Sequence, residues 1–506
     1  MIFEPVTLPC GRTIDNRLVK VAMYEHLATF PGGPPNEHHF RLYSEWAKHG
    51  WGMVITGNVS VVPDHLGLGR DVVVPASIDA PDALEPFKKL ADAIHGTWDA
   101  SNMNSSVRDV DDWRNTRNSG RTLALMQLNH AGRQSGNIIG GRLLFIPPLA
   151  PSSIRLGFKD PSPLKSLLNA ILFQTPCEMT TSDISTVIGR FITGAVLAYR
   201  AGFDGVQLHA AHGYLLAQFM SPKSNTRKDA YSVDKALDLI KTISKGIRDA
   251  TAPDFIIAIK LNAADYSSSD GNSLTDWERK ALKDVVDIAG WGLVDFIEIS
   301  GGDYENPEFM KDAQPSGSKR QAFFSRFSHQ ALRTLDCLRA STVHSVPLIL
   351  LTGGLRTPAL LHSALEQRHA DLLGIGRGSV LCPDLPVVLR SRSHKQDDAP
   401  FSAEPDFSTP NILRQPPFSW LWSLIPKIEL IGAGIGMAWF VVRIRAMSDP
   451  RFKIGSETNN IGGIEAVARM WAWTPRQATS QSAQPMPWPL ILGYLSLALV
   501  AIFTRT

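Results

Sequence analysis

Residues 201–222 read A-G-F-D-G-V-Q-L-H-A-A-H-G-Y-L-L-A-Q-F-M-S-P. Ala201 and Gly202 close a helix-like run, and residues 205–208 are short and apolar at Val206 and Leu208, which predicts a strand entering a buried sheet. Polar side chains begin where that strand stops. His209 stands at its end, and His212, three residues on, would share one side of a single helical turn. Gly213 relaxes the backbone before Tyr214, which lies at a different angle. Two imidazoles converging on one oxygen stabilise negative charge as it grows there, and a nearby phenol delivers a proton. That equipment suits the reduction of an activated double bond. The plainer reading is a pair of satisfied core or metal-binding histidines beside a packed tyrosine.

Working outward, eight strand-sized apolar runs can be counted, at 17–23, 52–58, 123–128, 205–208, 255–261, 296–299, 347–352 and 372–375, with helical patterns between most of them. Near-continuous apolarity predicts parallel strands covered on both faces, and eight such units predict an α/β fold of the closed (β/α)8 TIM barrel kind. Helices are clearest at 183–200, with Thr181 or Ser182 as N-cap, and at 276–289, with Ser273 or Thr275. The barrel is expected over 1–392, interrupted by a polar insertion at about 97–120. A linker rich in proline and serine follows at 393–427, and a helical C-terminal extension at 428–506.

That extension holds two apolar stretches. Residues 428–442 are short for a membrane span and read equally as a helix packed on the barrel. Residues 488–503 carry no charge, and two readings stay open: a tail anchor in a membrane, or docking on a protein surface.

At 506 residues and 44% hydrophobic composition the chain can bury one large core with material to spare. A net charge of +3, with scattered basic residues, excludes nucleic acid as an expected partner. Cys10, Cys177, Cys337 and Cys382 are far apart and form no C-x-x-C pair, so free thiols facing a reducing, cytoplasmic compartment are expected and an iron–sulfur cluster is not. The start, M-I-F-E-P-V-T-L, has neither a basic nor an apolar signal region.

A cofactor phosphate is expected beside the loops after strands seven and eight, where backbone amides face outward. Those loops carry Thr352-Gly353-Gly354 and Gly374-Ile375-Gly376-Arg377-Gly378, the arginine adding a fixed positive fork.

The block from 202 to 225 resembles the Old Yellow Enzyme family of flavin-dependent ene-reductases, in which H-x-x-[HN]-G-Y-L-L-x-Q-F-x-S-P follows the fourth strand of a (β/α)8 barrel. The resemblance runs over roughly 1–392 and implies FMN as cofactor, with NADH or NADPH as hydride donor. It implies that Ala22 and Met23 lie against the flavin ring, that Asn58 is near the ring's polar edge, and that Gln127 bonds its pyrimidine portion. Lys260 would stand beside N1 and O2, where reduced flavin is negative; a buried lysine without such an anion is costly. Gly353, Gly354, Gly376 and Arg377 would hold the phosphate, His209 and His212 the substrate oxygen, and Tyr214 the proton.

Two departures stand out. The family's G-G-S-x-x-N-R-x-R-F motif is missing after Tyr231, where Ser232-Val233-Asp234 leads straight into Lys235, and Tyr24 replaces the usual threonine or cysteine beside Met23. The resemblance implies a small-molecule substrate with an activated alkene and a role in specialised metabolism. The alternatives are an NADH:flavin oxidase using oxygen or a quinone, and a membrane-tethered barrel that has lost catalysis.

Overall fold

The computed structural model describes residues 1–99, 121–157, 170–264, 276–301, 318–341, 345–391, 398–402, 434–454 and 461–473. Among these, eight parallel strands close a barrel: β1 (Leu18–Lys20), β2 (Met53–Ser60), β3 (Leu123–Asn129), β4 (Gly205–Ala210), β5 (Ile256–Ala264), β6 (Phe296–Gly301), β7 (Leu348–Thr352) and β8 (Leu372–Ile375). Each of the eight apolar runs is one of these strands. Neighbours follow chain order, and the ring closes through Leu373↔Leu18 and Val19↔Met53.

Alternation along each strand explains why both faces had to be apolar. On β3, Leu123 and Leu125 join Met53, Ile55, Ile256, Ala258 and Phe296 in a cluster that fills the lumen. Ala124, Met126 and Leu128 point outward into the larger cluster shared with the helices. Above the apolar lumen the inward positions turn polar, and the site begins there.

The outer helices include α1 (Glu37–Ala47), α2 (Glu85–His95), α3 (Thr181–Arg200), α4 (Ala236–Ala250), α5 (Asp276–Ala289), α6 (Ser318–Ser341), α7 (Pro358–Glu366) and α8 (Arg377–Leu381). The N-cap of α3 is Thr180, not Thr181 or Ser182. Asp183 decides this, because its carboxylate accepts from the Thr180 amide at 2.8 Å while the Thr180 hydroxyl accepts from the Asp183 amide at 3.1 Å. The caps expected for α5 lie outside the described residues.

Two C-terminal helices, α9 (Ile435–Met447) and α10 (Gly463–Ala472), pack on the barrel. The stretch 428–442 is therefore a packed helix from Ile435 onward, with Ala438, Trp439, Val441 and Ile444 buried. Arg445 ties it down. Its guanidinium donates to the carbonyls of Arg469 at 3.0 Å and Met470 at 2.9 Å on one side. On the other it donates to the His26 carbonyl at 3.2 Å and the His26 Nδ1 at 2.6 Å. Trp473 covers the guanidinium at 4.4 Å, and its carbonyl accepts from Arg70 at 2.8 Å. The C-terminal helices thus grip the loop after β1.

Among the described residues no helix is long and apolar enough to cross a membrane. The stretch 488–503, the insertion beyond residue 99 and all of the linker except 398–402 lie outside the described residues.

Candidate active site at the barrel mouth

His209 is the third inward-facing position of β4, after Gly205 and Gln207, and its strand pairs it with Lys260 on β5. The chain then turns. His212 has φ +55° and Gly213 φ +73°, two successive left-handed residues that fold the backbone back over the strand's end. The expected helical turn is therefore absent, yet the two imidazoles still meet, edge to face, with ring centres 5.1 Å apart. Hydrogen bonds hold His212 there. Its amide donates to Asn262 Oδ1 at 3.2 Å, its Nε2 lies 2.9 Å from Ser300 Oγ, and its carbonyl accepts from Gln134 Nε2 at 2.9 Å.

Tyr214 caps the short helix Leu215–Met220, with its ring centre 4.6 Å from that of His209. Asn58 Nδ2 donates to its phenolic oxygen at 3.1 Å. Asn58 reaches the tyrosine because the β2–β3 register slips between Ile55 and Asn58. Gly57 fills the slip, and a Cβ there would collide with the Glu25 carboxylate and the Met23 carbonyl.

Burial pushes both imidazoles well below the usual histidine range. Next to burial, His212 and Lys260 lower His209, and Lys260 lowers His212. Both rings are therefore neutral at physiological pH and act as hydrogen-bond groups rather than cations.

Beneath the histidines lies a polar layer that the sequence only half disclosed. Gln127 Nε2 donates to Gln207 Oε1 at 2.6 Å, and Gln207 Nε2 donates to Glu298 Oε2 at 2.8 Å. The other Glu298 oxygen takes Lys260 Nζ at 2.9 Å and Thr352 Oγ1 at 3.0 Å. So the anion beside Lys260 is a carboxylate of the chain itself, and a donor of Gln127 is taken by a second glutamine. Gln207 and Glu298 escaped the sequence reading, although each is a polar residue on the inward register of an apolar strand, the signal that marks a lumen layer.

Around the rim, Ala22 and Met23 follow β1, Gly353 and Gly354 follow β7, and Gly376 caps α8 just before Arg377. Strands β7, β8 and β1 are neighbours, so these residues share one half of the mouth, while the histidines and Tyr214 rise from β4 across the ring. Gly353 at φ +115° and Gly354 at φ +73° hold a left-handed backbone open only to glycine at low cost. The donor set suits FMN. A glycine turn with an arginine matches a phosphate, and the carboxamide-rich lumen matches the polar edge of a flavin ring. Tyr24, half-buried, donates to the buried Asp71 at 3.2 Å, and both lie close to Tyr214.

Comparison with known proteins bears on the family and the fold. A model of the NADH:flavin oxidoreductase / NADH oxidase family matches residues 121–396. An NADH-dependent flavin oxidoreductase of Talaromyces variabilis is 33% identical over 458 residues, covering 88% of this chain and 97% of that protein. One from Neonectria sp. is 36% identical over 389 residues, 76% of this chain, which spans 46% of that protein's length. An Old Yellow Enzyme homologue from Zymomonas mobilis shares the fold at TM-score 0.55 and 19% identity, over 79% of this chain and 94% of its own. The enzyme class and the cofactors expected from the sequence, FMN with a nicotinamide nucleotide, are those of this family. The chain belongs to the NADH:flavin oxidoreductase / NADH oxidase family.

Proposed function

We propose that the chain is an ene-reductase, adding a hydride and a proton across the double bond of a small molecule activated by a carbonyl or nitro group. The glycine half of the rim, with Gln127, Lys260, Ala22 and Met23, would hold FMN, whose chemistry when bound would be the supply of a hydride drawn from NADH or NADPH. His209 and His212 hold the substrate oxygen through ring N–H groups, withdrawing charge from the alkene and fixing its face. Tyr214 gives its phenolic proton to the α-carbon, and Asn58 steadies the oxygen left behind. Burial of His209 and Tyr214, with His212 half-buried, limits competition from bulk water.

The observation that carries this reading is the convergence of His209, His212 and Tyr214, with ring centres 5.1 Å and 4.6 Å apart, across the mouth from the glycine turns. Replacing Tyr214→Phe should leave flavin reduction by NAD(P)H intact and slow anaerobic alkene turnover by about 10²–10⁴-fold, the usual worth of a positioned acid. Stopped-flow absorbance separates the two half-reactions. Equal loss of both would remove Tyr214 from its role. Wild-type enzyme that oxidises NADH in air but turns over no enone anaerobically would be an oxidase instead.

A further inference from the structure

We infer that this site recognises a substrate carrying an amide N–H next to its carbonyl, through the carboxamides of Asn129 and Gln134. The inference rests on the reading above for the place of the substrate, but its test reads binding rather than turnover.

Asn129 ends β3 on the inward register set by Leu123, Leu125 and Gln127. It stands one step beyond the Leu128↔Leu208 pair, which brings it abreast of His209. Its side chain is 0% exposed, and neither Oδ1 nor Nδ2 has a partner among the described residues. Gln134, in the turn just after β3, is 6% exposed; it spends its Nε2 on the His212 carbonyl and leaves Oε1 buried and unmatched. Nearby polar side chains behave differently, since Asn58, Asn262 and Ser300 all have partners.

Buried polar atoms are rarely left unpaired, so three of them flanking the catalytic histidines call for a ligand. Their chemistry restricts it. Two are carbonyl oxygens that need a donor, and one is an NH2 that needs an acceptor. A carboxylate or phosphate would set negative charge against both oxygens. A plain ketone would satisfy only the NH2. A secondary amide offers its N–H and C=O side by side, and a cyclic one, a lactam, presents both along one edge to the matching edge of Asn129. The histidines are neutral, and the ammonium of neighbouring Lys260 is already paired with Glu298 at 2.9 Å, so little favours an anionic rival.

The test titrates FMN-loaded enzyme with δ-valerolactam, N-methyl-δ-valerolactam and cyclohexanone, following calorimetry and the flavin absorption band. The lactam should bind about tenfold more tightly than its N-methyl derivative, the worth of one well-formed hydrogen bond in a closed site. In Asn129→Leu, of similar volume but without polar atoms, that preference should vanish while FMN stays bound. Equal affinities in the wild type would overturn the inference, and this needs no variant. Release of FMN from Asn129→Leu or Asn129→Ala would overturn it too, by giving the carboxamide to the cofactor. Missing alkene turnover would sink the ene-reductase reading alone and leave this titration to be judged by itself.

Discussion

Asn58 Nδ2 and the phenolic oxygen of Tyr214 are 3.1 Å apart, joined across 156 residues of sequence. The amide can only donate, so the phenol accepts there and its own proton is left to point elsewhere. The same bond strengthens if the oxygen becomes a phenolate, because a charged acceptor makes a stronger bond than a neutral one. Asn58→Leu is expected to slow the alkene half-reaction by roughly 10–100-fold, corresponding to about 1.5–3 kcal/mol for a bond to a charged group. Flavin reduction should be unchanged. Rapid-mixing traces of each half-reaction check this; a matching fall in flavin reduction would return Asn58 to the ring edge, where the sequence first placed it.

Glu298 offers a different kind of test. It is 0% exposed and shares its two oxygens among Lys260, Thr352 and Gln207. Glu298→Gln leaves the Lys260 ammonium buried without its carboxylate, and removal of one member of such a pair costs about 3–5 kcal/mol. Urea unfolding should show that loss. The double variant Lys260→Met with Glu298→Gln should be less destabilised than the sum of its parts; additive behaviour would mean that the ion pair contributes nothing specific.

The pH dependence of stability follows from buried histidines. His26, His39, His130, His209 and His212 all lie well below their usual range because burial disfavours the cation, His39 reaching about 3. Unfolded, each takes up a proton near pH 6.5, while the native protein does not. Below that pH the unfolded chain binds more protons, so stability falls as pH falls, by up to about 1.4 kcal/mol per unit for each group. Asp71 opposes this, since burial raises it to about 6 and it gains a proton in the native state first. Burial raises Glu25, Asp284 and Asp295 as well, but it also lowers His38, His65 and His369, so the imidazoles outnumber the opposing carboxyls. The urea midpoint should drop clearly between pH 7.5 and 5.5, on the order of 5 kcal/mol in all. An unchanged midpoint would show that these rings are already protonated.

The barrel was legible because parallel strands covered on both faces must be apolar throughout, and runs such as 296–299 and 372–375 advertise themselves. The grouping of His209, His212 and Tyr214 was legible from one motif, although the path of the chain was not. A left-handed His212 depends on Gly213 together with partners on β5 and β6, which no local pattern shows. The bond of Asn58 to Tyr214 was hidden for a similar reason, since only the slipped register after Ile55 turns it towards that phenol. Gln207, Glu298 and Asn129 were readable in principle as polar letters on an inward register. The contact of Arg445 with His26 spans 419 residues and leaves no trace in either neighbourhood.

That contact gives the fourth prediction. Arg445→Met keeps an apolar stem beside Trp473 but strips donors from the carbonyls of His26, Arg469 and Met470. Stability should fall by about 2–4 kcal/mol, since buried acceptors are left unmatched. Amide hydrogen exchange at residues 24–28 should quicken well beyond the rest of the barrel. Unaltered protection there would show that α9 merely rests on the loop without securing it.

The grip of Arg445 on His26 also sets an order for biosynthesis. Residues near the amino end emerge from the ribosome first, yet the carbonyl of His26 gains its donor only after residue 445 has left the exit tunnel. Until then the nascent chain carries an unfinished first loop. The loop after β1 is completed only when α9 docks, so its closure waits on translation through residue 445.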